Sequence, residues 1–191
     1  MTSVIHILNA SHLADLDMQI IASAVEKVFH IPVTFERRSL DYERAFDDSR
    51  GQYSSGMLLG QILENSNLTD SKRIAIVDAD LFIPVLTFIF GEAQFEGSAA
   101  IVSTYRLSNE FYGLPDDQEK ALQRLEKEIV HELGHTVGLY HCRQFECVMR
   151  SSTYVEEIDV KRAIPCQECQ HLLNQKQEQS CTPPTKLQEK L

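Results

Sequence analysis

Eleven consecutive residues constrain this chain more than any other stretch: His131-Glu132-Leu133-Gly134-His135-Thr136-Val137-Gly138-Leu139-Tyr140-His141. Residues four apart lie about one turn apart on the same helical face, so a helix through His131 and His135 presents both imidazoles on one side. Gly138 can take a left-handed conformation that stops such a helix and turns the chain, which brings His141 round to the other two within three residues. The upstream sequence supports a long helix here. Asp116 and Glu119 form a D-x-x-E capping pattern, and Leu122, Leu125, Ile129, Leu133 and Val137 repeat at intervals of three or four. The spacing predicts a helix from about Asp117 to Val137.

Three imidazoles converging on one point suit zinc and leave one tetrahedral position open, the mark of a catalytic rather than a structural site. His131, His135 and His141 are the candidate ligands. Glu132 adjoins the first of them and is placed to take a proton from water at the ion, whose pKa zinc lowers towards ~7, and to hand it to a leaving amine. Zinc also polarises the carbonyl under attack. Amide hydrolysis is the reaction this set of groups suits. A bare H-E-x-x-H also arises when two histidines share a helical face by accident; Gly138 and His141 at the required offsets argue against that reading.

The chain has five cysteines, all beyond residue 141: Cys142, Cys147, Cys166, Cys169 and Cys181. Cys142 with Cys147, and Cys166 with Cys169 as a C-x-x-C, form two close pairs that match a structural four-cysteine zinc site. Such a site would tie the segment after His141 to the segment around Cys166 and supply folding energy there. Two disulfides, a redox C-x-x-C, or reduced buried thiols are the alternatives. A redox pair has no use for Cys142 and Cys147, and disulfides want an oxidising compartment. His171 could replace one thiol but reads as a surface residue, and Cys181 reads as a free thiol in a polar stretch.

The rest of the sequence reads as a mixed α/β fold. Val4 to Leu8 is a strand. Leu16, Ile20, Ile21, Ala24, Val25 and Val28 then mark a helix, and Ile31 to Phe35 a second strand. Met57, Leu58, Ile62 and Leu63 mark a second helix, and Ile74 to Val77 a strand buried on both faces, giving β-α-β-α-β. Phe88 to Phe90 and Ala99 to Val102 suggest further strands, one of them an edge. A short helix is expected near Val155 to Ala163, and a polar, mobile tail from Gln175 to Leu191.

With 18 basic against 28 acidic side chains, a net charge of −10 and no run of Lys or Arg, nucleic acid is not an expected partner. The longest apolar stretch, Leu81 to Phe90, is about half the ~20 residues of a membrane span, so neither anchor nor signal peptide is expected. From the missing signal and the expected thiolate ligands, a cytoplasmic location is expected.

The combined pattern H-E-x-x-H-x-x-G-x-x-H-C-x₄-C-x-M followed by C-x-x-C resembles the archaemetzincin (archaelysin) family of metalloproteases over Lys120 to Cys169. The resemblance implies a catalytic zinc on His131, His135 and His141, Glu132 as general base, and a second zinc on Cys142, Cys147, Cys166 and Cys169. It places Met149 beneath the catalytic metal as the Met-turn residue, a position that the residues alone would give to a core filler. One departure is that 16 residues separate Met149 from Cys166, one fewer than the family pattern. The implied fold is a metzincin-like zincin with a mixed β-sheet, a central active-site helix and a zinc-stapled C-terminal part. The implied domain spans residues 1–174, with subdomains 1–138 and 139–174. By the same analogy, an edge strand near Gly91 to Ser103 binds an extended peptide by strand addition.

The expected function is zinc-dependent hydrolysis of peptide bonds in peptide or protein substrates, with two zinc ions per chain and aminopeptidase-like activity at most on small substrates. The competing reading is a zinc-stabilised peptide-binding protein without efficient hydrolysis. Intact Glu132 argues against it, because a non-catalytic site has no use for a base beside the metal. Hydrolysis of a non-peptide amide is the third reading.

Overall fold

A computed structural model describes residue 2 and residues 4–64 and 71–179. In chain order the elements are β1 (Val4–Ala10), α1 (Asp15–Phe29), β2 (Val33–Arg37), β3 (Phe46–Asp47), β4 (Gln52–Ser54), α2 (Ser55–Glu64), β5 (Ser71–Val77), β6 (Leu81–Phe82), β7 (Gly91–Ala93), β8 (Ala99–Ser103), α3 (Gln118–Val137), α4 (Val155–Asp159) and α5 (Gln167–Gln179). The main sheet has the order β2-β1-β5-β8-β7. Its first four strands are parallel, and β7 closes one edge antiparallel to β8. The expected β-α-β-α-β order is therefore present, with the mixed sheet.

Side chains alternate across this sheet as the pleat requires. Ile5, Ile7, Ile74, Ile76, Ala100 and Val102 face a core filled by α1 and α3, while Leu8, Ala75, Val77, Ala99 and Ile101 face α2. Strand β5 is central and its Ile74 to Val77 are fully buried, as the uninterrupted apolar run predicts. On α1 the buried face is Met18, Ile21, Ala22, Val25, Val28 and Phe29. Leu16 and Ile20, which belong to the apolar pattern of the sequence, are instead exposed.

Three expectations are corrected, and one small sheet is added to them. The helix α3 is capped by Asp117, whose Oδ1 accepts from the Lys120 N–H at 3.0 Å, and not by Asp116. Phe88 to Phe90 is not a strand. The Ile89 N–H donates to Leu81 O in the small sheet, whereas Phe90 O accepts from Ser103 in the main one, so the run crosses between sheets and only Gly91 onwards pairs regularly. A small second sheet, β3-β4-β6, accompanies α2 and has no strong sequence signal because its strands are two or three residues long. Helix α5 continues to Gln179, five residues into the stretch expected as tail. It buries only Cys169 and Leu173, and the Gln177 amide donates to Phe29 O at 2.9 Å. Residues 180–191, with Cys181, lie outside the described residues.

Candidate active site

Helix α3 holds His131, Glu132 and His135 on its last turns, anchored by Leu125, Ile129, Val130 and Leu133, all buried. The helix stops at Gly138, which is left-handed at φ 96°. A Cβ there would be strained in this conformation and would lie 2.7 Å from Glu96 Oε1 and 2.9 Å from Lys176 Nζ. The Leu139 N–H then donates to Gly134 O at 3.0 Å, and the chain reverses to bring His141 against the two helical histidines. The ring centroids are 4.6 Å apart for His131 and His135, 4.8 Å for His135 and His141, and 5.3 Å for His131 and His141.

The second nitrogen of each helical histidine is committed. His131 Nδ1 lies 2.8 Å from Val148 O, and His135 Nδ1 lies 2.7 Å from Leu139 O. A carbonyl only accepts, so both Nδ1 atoms carry the proton and both Nε2 atoms present lone pairs. Those two lone pairs face each other across 3.1 Å. Apposed lone pairs repel, and a cation bound by both removes the repulsion. Tetrahedral zinc with Zn–N of about 2.0–2.1 Å would set neighbouring nitrogens roughly 3.3 Å apart. The donor atoms of all three histidines lie within 4.8 Å of one another. Burial holds all three below the usual imidazole range, favouring the neutral, ligating form.

Glu132 is buried between this cluster and the sheet edge. A Cβ at Gly91, the first residue of β7, would lie 2.8 Å from Glu132 Cγ, Glu132 Oε1 and Ile101 O. Glycine at this position lets the strand approach the carboxylate. Burial pushes the Glu132 carboxyl well above its usual range, with Glu128 and Glu92 adding to the rise and Lys161 opposing it. Lys161 and Glu128 form an ion pair at 3.4 Å with both side chains almost wholly buried. Beside them Arg124 holds Asp159 with two hydrogen bonds of 2.6 and 2.8 Å, which fastens α4 to α3.

Met149 is fully buried against the active-site helix at Gly134. A Cβ on Gly134 would lie 2.5 Å from its Sδ. Gly91, Gly134, Lys161 and Glu128 take part in the site without belonging to the ligand motif. Of these Gly134 alone carries a readable signal, since a glycine inside a helix costs ~1 kcal/mol and marks a close approach.

Cys142, Cys147, Cys166 and Cys169 converge, with all four sulfurs within 4.8 Å of one another. Cys142 Sγ and Cys166 Sγ are 3.8 Å apart, far beyond the roughly 2.05 Å of a disulfide and close to the ~3.8 Å that a tetrahedral ion with Zn–S of about 2.3 Å would set. All four are free thiols. Backbone N–H groups of Gln144 and Cys166 donate to Cys142 Sγ and Cys147 Sγ at 3.4 and 3.3 Å, an arrangement that stabilises thiolates. His171 is exposed on α5 and partners Gln175 at 2.9 Å, apart from the sulfur cluster.

The family model of Peptidase family M54 matches residues 3–175 of this sequence. The chain belongs to that family, the archaemetzincins. The archaemetzincin of Haloquadratum walsbyi is 36% identical over 169 residues, 84% of this chain and 95% of the relative. The crystal structure of archaemetzincin from Methanopyrus kandleri superposes with a TM-score of 0.80 at 30% identity, covering 92% of this chain and 95% of that one. A zinc-dependent peptidase from Methanocorpusculum labreanum superposes with a TM-score of 0.79 at 28% identity, covering 89% and 100%. As an archaemetzincin the chain is a zinc metallopeptidase, with peptides or proteins as substrates and the mixed α/β fold of its family. Among the described residues no helix is long and apolar enough to cross a membrane.

Proposed function

We propose that this archaemetzincin hydrolyses peptide bonds at a zinc ion held by His131, His135 and His141, with Glu132 as general base. The observation that carries the assignment is the pair of lone-pair-bearing Nε2 atoms at 3.1 Å, each fixed by a carbonyl on its other nitrogen. When bound there, zinc supplies Lewis acidity that polarises the scissile carbonyl and acidifies water. Glu132 removes a proton from the attacking water and returns it to the leaving nitrogen. Its raised proton affinity suits the uptake of that proton. Gly91 leaves room for the carboxylate and brings the open edge of β7 beside it, so an extended substrate would pair with β7 and cross the reacting groups.

Cys142, Cys147, Cys166 and Cys169 hold a second, structural zinc on this reading. Cys142 follows His141 in the chain, and its N–H donates to Met149 O at 2.9 Å. Cys147 precedes Val148, whose carbonyl fixes His131. The second ion therefore secures the loop that orients the first. Four free thiols in one cluster also suit a reducing compartment such as the cytoplasm.

The test is mass-spectrometric mapping of cleavages in a diverse peptide mixture, comparing zinc-loaded wild type with Glu132→Ala. Cleavage by the wild type alone is expected, and the mapped sites give the end preference. Equal cleavage by both would remove Glu132 from its assigned role.

A further inference from the structure

The β7–β8 turn is held over the end of α3. The Glu96 N–H donates to His135 O at 3.0 Å, and Lys176 on α5 pairs with the Glu96 carboxylate. Glu96 is left-handed at φ 53°, a conformation a non-glycine residue holds only where its surroundings impose it. Phe95 immediately precedes this fixed residue. On the other side, Tyr140 lies between Leu139, whose carbonyl orients His135, and His141. The rings of Phe95 and Tyr140 meet with centroids 4.4 Å apart and planes tilted by 37°. They nonetheless stay open to solvent, at 42% and 74% exposure.

Two aromatic rings whose backbones are fixed by the site itself, yet whose faces are left wet, carry an unfavourable hydration cost that a bound apolar group would relieve. We infer that Phe95 and Tyr140 form a specificity platform for a large apolar side chain, aromatic above all, of a peptide paired along β7. The inference rests on the peptidase assignment above. Strand β7 begins at Gly91 against Glu132 and leads through Ala93 to Phe95, so a peptide on its open edge reaches the base at one end and the rings at the other. Because a strand-paired peptide is held in register by its backbone, the platform reads one fixed position relative to the cleaved bond.

The test uses matched peptides that differ only in Phe against Ala at each position around the cleaved bond. Turnover is compared for zinc-loaded wild type, Phe95→Ala, Tyr140→Ala and Tyr140→Phe. Equilibrium binding is compared for the same changes on a Glu132→Ala background. Each alanine variant is expected to lose about tenfold in kcat/KM, through KM, on peptides with Phe at the selected position, with less than about twofold lost on the Ala peptides. The binding constants should move in parallel, and Tyr140→Phe should restore both. Equal losses on Phe and Ala peptides, or no loss in either variant, overturn the platform. If wild type cleaves nothing while the Phe-against-Ala difference in binding persists, the peptidase assignment fails and the platform stands.

Discussion

Met149 Sδ occupies the space into which a side chain at Gly134 would project, 2.5 Å from where its Cβ would be. The active-site helix and the loop beneath it are therefore in contact through a missing methyl group. Gly134→Ala must displace a buried sulfur, an overpacking cost of about 1–3 kcal/mol that outweighs the ~1 kcal/mol gained in helix propensity. At Gly60 in α2 an added Cβ would meet nothing within 4 Å, so Gly60→Ala is the control and should gain about 0.5–1 kcal/mol. Urea unfolding of the two variants should move in opposite directions, with zinc affinity reduced in Gly134→Ala alone.

Gly91→Ala should reduce turnover by roughly 10²-fold or more while both metals stay bound. The new methyl group would meet the backbone oxygen of Ile101 as well as Glu132, so neither neighbour yields cheaply. Zinc stoichiometry measured beside kcat decides this: loss of zinc together with activity would mean that the strand, and not the carboxylate, had been disturbed.

The buried Lys161–Glu128 pair should be costly to break and cheap to replace. Lys161→Met strands the Glu128 carboxyl, whose proton affinity burial already raises, and should cost about 3–5 kcal/mol. Adding Glu128→Leu should recover most of that loss. A double variant no more stable than the single one in urea titration would refute the pairing.

Asp159 is held below the usual carboxylate range: burial alone would raise it, but hydrogen bonds from Arg124 and Lys120 outweigh that effect. A carboxyl depressed on folding adds stability above its unfolded pKa of about 3.9 and loses it as pH falls through the lower folded value. The stability difference between wild type and Asp159→Asn should therefore be full at neutral pH and shrink below about pH 4. Denaturation series at stepped pH measure it; a difference that grew on acidification would reverse the sign.

Metal removal should separate the two clusters. A chelator that empties the histidine site should abolish turnover with little loss of structure, while release of zinc by a thiol reagent should lower the melting temperature and loosen the segment after Gly138. Metal analysis should find two zinc ions per chain, and one in Cys169→Ala.

The site residues are legible in the sequence because their chemistry is local. His131, Glu132 and His135 share a helical face, Gly138 ends that helix, and the cysteines stand in close pairs. The cap is misread by one residue because Asp116 and Asp117 are adjacent and equally able to accept from the first turn. Helix α5 is hidden because Cys169 and Leu173 are its only buried apolar positions, too few to show a period. Phe88 to Phe90 imitates a strand because apolar content does not reveal that Ile89 and Phe90 bond to different sheets. What a linear pattern cannot carry is contact across distance: Gly91 against Glu132, and Lys161 against Glu128, pair residues 41 and 33 positions apart.

The carbonyl of Val148, between Cys147 and Met149, also governs where this chain tolerates insertions and deletions. From His131 to Met149 nearly every residue is measured out: helical ligand, base, stop, third ligand, first sulfur pair, carbonyl, methionine. One residue gained or lost there shifts everything downstream out of place. Between Met149 and Cys166, α4 is fastened through Asp159, and the segment after it by the Lys161–Glu128 pair and by the Arg162 N–H donating to Glu146 O at 2.8 Å, so residues 151–154 before α4 are left to take up slack. A change in the 16-residue spacing between Met149 and Cys166 would be absorbed at that stretch without moving either cluster.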